Sequence, residues 1–164
     1  MRNVFFISDT HFGHRNILNF VKTSNGLPLR PFSTIEEMNE KIVENWNSVV
    51  HKNDRIYHLG DICLSRSNLP ILERLHGRKV LIKGNHDNSK IEEYLKYFDD
   101  IRGSHIFNNY IMTHIPVHPC QKVRFSGNIH GHLHDNIIDD PWYINVSVEN
   151  INYTPISSDI LFKK

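Results

Sequence analysis

Short apolar runs and polar turns alternate along this chain. Asn3–Ser8 holds Val4, Phe5, Phe6 and Ile7 between polar residues, the length and bounds of a buried strand. Comparable runs follow at Arg55–Leu59, Lys79–Ile82, Tyr110–Thr113, Asn128–His130 and Trp142–Val148, and the first four lead into polar turns containing Gly or His. Ile35, Met38, Ile42, Trp46 and Val49 recur instead at helical spacing. They follow Ser33-Thr34-Ile35-Glu36, a capping box whose Ser oxygen and Glu carboxylate would satisfy free N–H groups. This predicts a helix over Thr34–Val50 with its apolar stripe packed on a sheet. Shorter helices are expected at Asn16–Val21, Asn68–Leu75 and Ser89–Tyr97, and a last strand within Asn150–Lys164. Strand and helix alternate in the first half and strands dominate the second. The pattern predicts an α/β layered sandwich with mixed sheets, parallel pairing first and antiparallel later.

Composition fits this picture and narrows the function. At 164 residues, 39% hydrophobic and 23% charged, the chain is expected to form one domain over residues 1–164 with its own core. A formal net charge of +1 gives no general attraction to nucleic acid or to a membrane surface. The start, Met1-Arg2-Asn3 and then Val4–Ile7, is too short for a signal-peptide core, and no stretch approaches a membrane span. A soluble, cytoplasmic protein with no membrane partner is expected. Cys63 and Cys120 form no C-x-x-C pair and read as free thiols of a reducing compartment.

Twelve histidines stand out, because histidine is the commonest metal ligand and the usual acid or base near neutral pH. Several gather with Asp, Gly and Asn where predicted strands end: Asp9-Thr10-His11, Gly60-Asp61, Gly84-Asn85-His86-Asp87, Thr113-His114 and Gly131-His132-Leu133-His134. In α/β sheets, loops beyond the carboxyl ends of strands converge on ligands. In extended backbone, residues i and i+2 share a side, which would let Asp9 and His11 hold one ion. The glycines before Asp61, Asn85 and His132 suit positive φ or close backbone approach. Carboxylates bring charge and can bridge two cations, and imidazoles and an amide oxygen complete their coordination. Two such ions stabilise the attacking and leaving oxygens at phosphorus and make bound water a nucleophile near neutral pH. No Walker-type Gly-rich loop is present, which argues against P-loop nucleotide binding.

Taken in order, these motifs resemble the calcineurin-like metallophosphoesterase superfamily, from Asp9 to His134. The longer GD-x-x-D-R-G pattern of the protein Ser/Thr phosphatases is missing, since Asp61 is followed by Ile-Cys-Leu-Ser-Arg. The chain is also too short for the capping domain of the double-strand-break nucleases. The likeness is to the small, minimal bacterial and phage enzymes. It implies a four-layer α-β-β-α sandwich around two divalent ions, with Asp9, His11, Asp61 and His134 on the first. Asp61 would bridge to the second, completed by Asn85, His114 and His132. His86 would act as general acid or phosphate-charge stabiliser, its ring oriented by Asp87. Mn is the first expectation for the metal, with Fe, Ni, Zn and Mg as alternatives.

The function expected is hydrolysis of phosphate mono- or diesters, on a small phosphate ester or nucleotide, by metal-bound hydroxide. Nuclease action on DNA or RNA is the alternative, for which Phe12, Phe125, Trp142 and Tyr143 are candidate stacking residues. A non-catalytic scaffold of the same fold ranks below both, because His86 stands alongside every ligand. His14, His118 and Arg15 are candidate substrate contacts, and Arg124 a further phosphate clamp. His58 and His130 are expected to face away from the metals. Segment Asn19–Pro31 is a long, turn-rich connection that can border the substrate pocket. Oligomeric state is left open.

Overall fold

The computed structural model describes residues 3–163; Met1 and Arg2, with the basic start expected there, and Lys164 lie outside the described residues. Among the described residues, nine strands form two sheets. The first holds β1 (Val4–Ile7), β2 (Arg55–His58), β3 (Arg78–Ile82), β4 (Asp100–Arg102) and β9 (Ile156–Ser157), in the order β4-β3-β2-β1-β9. The second holds β5 (His105–Phe107), β6 (Tyr110–Met112), β7 (Gly127–His130) and β8 (Tyr143–Asn145), in that order. β1 through β4 pair in parallel, and β9 joins β1 antiparallel. In the second sheet only β5 and β6 are antiparallel, so the expectation of antiparallel pairing in the second half is corrected for β6, β7 and β8. The connections 113–126 and 131–142 have the length a parallel crossover needs, but neither carries an α-helix: the first holds one short 3₁₀ turn and the second is a loop.

Alternation along β1 shows why both faces of the first sheet are apolar. Phe5 and Ile7 face a core shared with α1 (Ile35–Val49), where they meet Ile42, Trp46 and Leu81. Phe6 faces the other way, into an inter-sheet core with Tyr57, Leu59, Val80, Ile82, Met112, Ile129 and Val146. A strand buried on both faces reads as a continuous apolar run, and that is the signal the sequence carries. The outer face of the second sheet is covered by the segment after His114. Val117 N–H donates to Asn128 Oδ1 at 2.9 Å, and the Tyr143 hydroxyl donates to Val117 O at 2.8 Å. Helices, two mixed sheets and this outer segment with its single 3₁₀ turn (Pro119–Val123) make the layered α/β sandwich.

α1 begins one residue later than the capping box implied. Thr34, not Ser33, is the N-cap: its hydroxyl accepts from Glu37 N–H, and Glu37 reaches back to Ser33 N–H. The other expected helices are shorter or tighter. Arg15–Asn19 and Arg66–Arg74 are 3₁₀, the latter containing Pro70, which lacks the N–H an α-helical ladder requires. Ser89–Tyr97 contains only the one-turn α2 (Ile91–Tyr94), and the tail adds α3 (Ser158–Leu161) after β9. The run at Trp142–Val148 leaves the second sheet after Asn145 and crosses to the first: Ser8 N–H donates to Val146 O, and Val148 N–H to Ser8 O. This crossing ties the two sheets together where β1 ends.

Phe6 is fully buried and packs against Tyr57, Phe107 and Phe162. Phe6→Ala is expected to lower stability by about 3–5 kcal/mol in urea unfolding. A loss under about 1 kcal/mol would show that the two sheets do not rely on this contact.

Candidate metal centre

Five of the seven residues expected to bind metal sit at positive φ: Asp9 (58°), His11 (49°), Asp61 (57°), His132 (69°) and His134 (50°). Side chains other than Gly rarely adopt this region, at a cost of about 1–3 kcal/mol each, and such residues cluster at functional sites. Asp9 and His11 therefore share a side through a left-handed turn, not through extended backbone as the sequence pattern suggested. The turns are held by one another. Asp9 N–H donates to Gly60 O and His11 N–H to Asp61 O, both at 3.0 Å, and Gly131 N–H donates to His114 O at 2.9 Å. Between the first two ligands, the Thr10 hydroxyl bonds His58 Nε2 at 2.9 Å and Ile62 O at 3.1 Å. Two glycines make room for this crowding. A Cβ on Gly131 would lie 2.3 Å from Asp9 Oδ2, and one on Gly84 would lie 2.2 Å from Asp61 Oδ1.

The loops bring two triads together. Asp9, His11 and His134 place ligand atoms within 4.8 Å of one another, and so do Asp61, His114 and His132. Asp61 Oδ2 stands between the groups, 3.6 Å from His11 Nε2 and 3.3 Å from His114 Nε2. Asn85 joins the second group, its Oδ1 2.9 Å from His114 Nε2. Burial opposes ionisation of Asp61. The hydrogen bond and charge of His114 and the backbone N–H of His86 outweigh it and hold the carboxyl at about 2. Burial and the nearby Arg30 cation push His11 well below its usual range, so its imidazole is neutral. Burial and the charge of His114 lower His132 in the same direction.

Residues with no sequence signal orient the ligands. Arg30 is completely buried; its Nε donates to Glu149 Oε1 at 2.8 Å, and its terminal nitrogens donate to the carbonyls of Thr10 and Asp9. Glu149 in turn accepts from His134 Nδ1 at 3.0 Å, leaving Nε2 for an ion. His114 is set the same way, with Nδ1 2.7 Å from Leu59 O. Ser147 Oγ donates to Asp9 Oδ2, which also accepts the N–H of His132. Arg30 lies in a turn-rich stretch and Glu149 after a strand end, and neither position sets them apart from surface charges.

The role expected for Asp87 is corrected. Its carboxylate accepts the backbone N–H groups of Gly84, Asp61 and Ile62 at 2.8–3.0 Å and does not touch the His86 ring. Both oxygens are spent on clamping the Asp61 loop to the Gly84 loop. His86 is half exposed, with Nε2 4.0 Å from Asp61 Oδ2, and its backbone N–H donates to Asp61 Oδ1. His14 lies beside the first triad, its ring 5.5 Å from that of His11, and Phe20 meets it edge-on at 5.9 Å, so segment 19–31 does flank the site. Arg15 turns outward to Glu36 at 2.9 Å, and the ion pair leaves it largely in solvent. His118 caps the 3₁₀ turn at Pro119, accepting from Cys120 N–H, and Arg124 lies over the Phe125 ring. His58 is buried and hydrogen-bonded to Thr10 and Gly60 N–H, and Cys63 is buried, its thiol pushed up to about 12 and so unreactive.

The donor set fits divalent cations. Asp9 Oδ1 and both ring nitrogens of His11 are buried without any hydrogen-bond partner, a costly arrangement that a cation relieves. Two carboxylates, four imidazoles and an amide oxygen are the donors of a two-ion site. The layered α/β architecture thus brings two clusters of candidate metal ligands together beyond the strand ends.

No family model matches the chain. The uncharacterized protein MJ1445 of Methanocaldococcus jannaschii is 39% identical over 177 residues, covering 99% of this chain and 91% of that protein. Gene 66 protein of Mycobacterium phage L5 is 26% identical over 84% of this chain and 80% of its own length. Among solved structures, the protein of unknown function AQ665 from Aquifex aeolicus superposes with a TM-score of 0.78 at 30% identity, covering 98% of each chain.

Asp87→Ala leaves three N–H groups without an acceptor, those of Asp61 and Ile62 buried and that of Gly84 partly so, at about 1–3 kcal/mol for each buried one. It is expected to lower stability by at least about 3 kcal/mol in urea unfolding and to lower metal content with it. Unchanged stability with reduced turnover would return Asp87 to the role of orienting His86.

Proposed function

The chain belongs to one family with MJ1445 of Methanocaldococcus jannaschii and AQ665 of Aquifex aeolicus, and from that premise we propose that it is a metal-dependent phosphoesterase. The observation that carries this reading is the position of Asp61, one ionised carboxylate between two histidine-bearing triads. Asp9, His11, Asp61 and His134 would hold one divalent ion, and Asp61, Asn85, His114 and His132 the other. When bound, such ions offset phosphate charge, stabilise the departing oxygen and make water acidic enough to attack near neutral pH.

The chain's own residues do the rest. Glu149 and the Leu59 carbonyl keep His134 and His114 in the tautomers that present Nε2. Arg30 offsets part of the buried negative charge from behind. His86, on the open side of Asp61, is placed to hold a proton at a ring nitrogen for the alcohol that leaves. His14 and Phe20 flank the mouth and would meet the substrate's organic part. Both mono- and diesters of small phosphate compounds, nucleotides included, suit this open site, and Mn is the first metal to test. Phe12 is fully buried, so it offers nothing to a nucleic-acid base.

The deciding assay is hydrolysis of a chromogenic phosphodiester and the matching monoester by metal-stripped protein, with Mn²⁺, Ni²⁺, Zn²⁺ or Mg²⁺ restored singly. Metal-dependent turnover is expected, and the ratio between the esters reports the substrate class. Absence of turnover with every metal on a panel extended to nucleotides and nucleic acid would reject the enzyme reading. Asp61→Ala should lose both ions together by metal analysis; two ions retained would refute the shared carboxylate. His86→Ala should keep near-normal metal content while kcat on a poor leaving group falls by ~10²–10⁴. An unchanged kcat would remove His86 from the chemistry.

A further inference from the structure

The opposite ends of the same strands frame a second polar cavity. β2 and β3 open on Arg55 and Arg78, register partners in parallel strands, so their backbones lie about 4.8 Å apart. Each stands two residues before a member of the inter-sheet core, Tyr57 and Val80, and so projects from the same face. With Asp99, Asp100 and Arg102, and with His105 from the second sheet, they line a cavity of about 400 Å³. β2 sets Arg55 about 10 Å from His58 along the strand, and Asp61 lies beyond His58 at the same end, at most about 20 Å of chain from Arg55.

Charge in this cavity is unbalanced. Arg102 Nε donates to Asp100 at 2.6 Å, and the same guanidinium meets His105 Nδ1, so that Asp and that Arg are matched. Asp99 is exposed and its charge is felt by Lys79. Arg55 and Arg78 form no ion pair within 4.0 Å among the described residues, and Arg55 Nε is buried with no hydrogen-bond partner. Like charges side by side on one sheet face destabilise the pairing, and an unpartnered buried donor adds to that cost. Burial and the charges of Arg102 and Arg55, opposed by Asp100, lower His105 below its usual range. An oxyanion between Arg55 and Arg78 removes both penalties, because guanidinium forks match phosphate oxygens bidentately.

We propose that this cavity is a binding site for a phosphate group, separate from the metal centre, with Arg55 and Arg78 as its anchors. It stands independently of the proposed hydrolysis. The test is calorimetric titration of inorganic phosphate into the metal-stripped full chain, with thermal unfolding in parallel. Wild type should bind phosphate and gain Tm, and Asp61→Ala should bind it equally. Arg78→Gln, at an exposed position, should weaken binding about tenfold or more while its phosphate-free Tm stays unchanged or rises, since a like-charge neighbour is gone. Arg55→Gln should weaken binding similarly. Adenosine monophosphate distinguishes the sources: tighter binding than phosphate marks a nucleotide site, and equal binding a site for phosphate alone. Absence of binding to wild type at millimolar phosphate would overturn the proposal. So would binding lost in Asp61→Ala, or binding retained by both arginine variants.

Discussion

Buried negative charge at the ends of the central strands is the constraint on which this structure turns. Asp9, Asp61, Asp87 and Glu149 all have side chains at 2% exposure or less, and a fully buried arginine, Arg30, lies beside them. Carboxylates removed from water are costly unless hydrogen-bonded or paired. Asp87 is stabilised by three backbone N–H groups and Glu149 by Arg30 and His134. Asp9 and Asp61 are matched less completely. Asp9 Oδ1 has no hydrogen-bond partner, with only His11 Nε2 at 3.9 Å, and Asp61 Oδ2 relies on imidazoles that are also candidate metal donors. The fold thus satisfies its structural carboxylates and leaves its chemical ones with capacity to spare for cations.

Backbone strain is distributed on the same plan. The left-handed residues at Asp9, His11, Asp61, His132 and His134 oppose local preference, and cross-loop hydrogen bonds from neighbouring strands hold them. Each loop depends on another: the Asp9 turn on Gly60 and His132, the Asp61 turn on Asp87, and the Gly131 turn on His114. The segment that crosses from β8 to pair with Ser8 brings Ser147 onto Asp9 and carries Glu149 toward His134. The two sheets are therefore joined through the site itself, which makes ligand geometry and sheet packing parts of one arrangement. His86 and Asn85 are exposed on the open side of the site, whereas Asp9, His11, Asp61 and His114 are buried.

The apolar runs and the helical stripe determined by themselves where the strands and α1 lie, because burial on two faces or on one stripe imposes its period locally. Local order likewise marked the polar residues that gather beyond the strand ends, since each motif is contiguous. What lay beyond the sequence was set by partners distant along the chain. β4 and β5 are three-residue strands too short to show a period, and parallel pairing of β6, β7 and β8 depends on crossovers that carry no helix signal. Arg30, Glu149 and Ser147 join the site from separate stretches, and Asp87 accepts the N–H groups of Asp61 and Ile62, 26 and 25 residues away, as well as that of Gly84. Residue type and order determined which atoms can hold cations. Only tertiary structure decided which carboxylates are already satisfied and which are left for an ion, because hydrogen-bond partners of buried charge are chosen by packing and not by proximity along the chain.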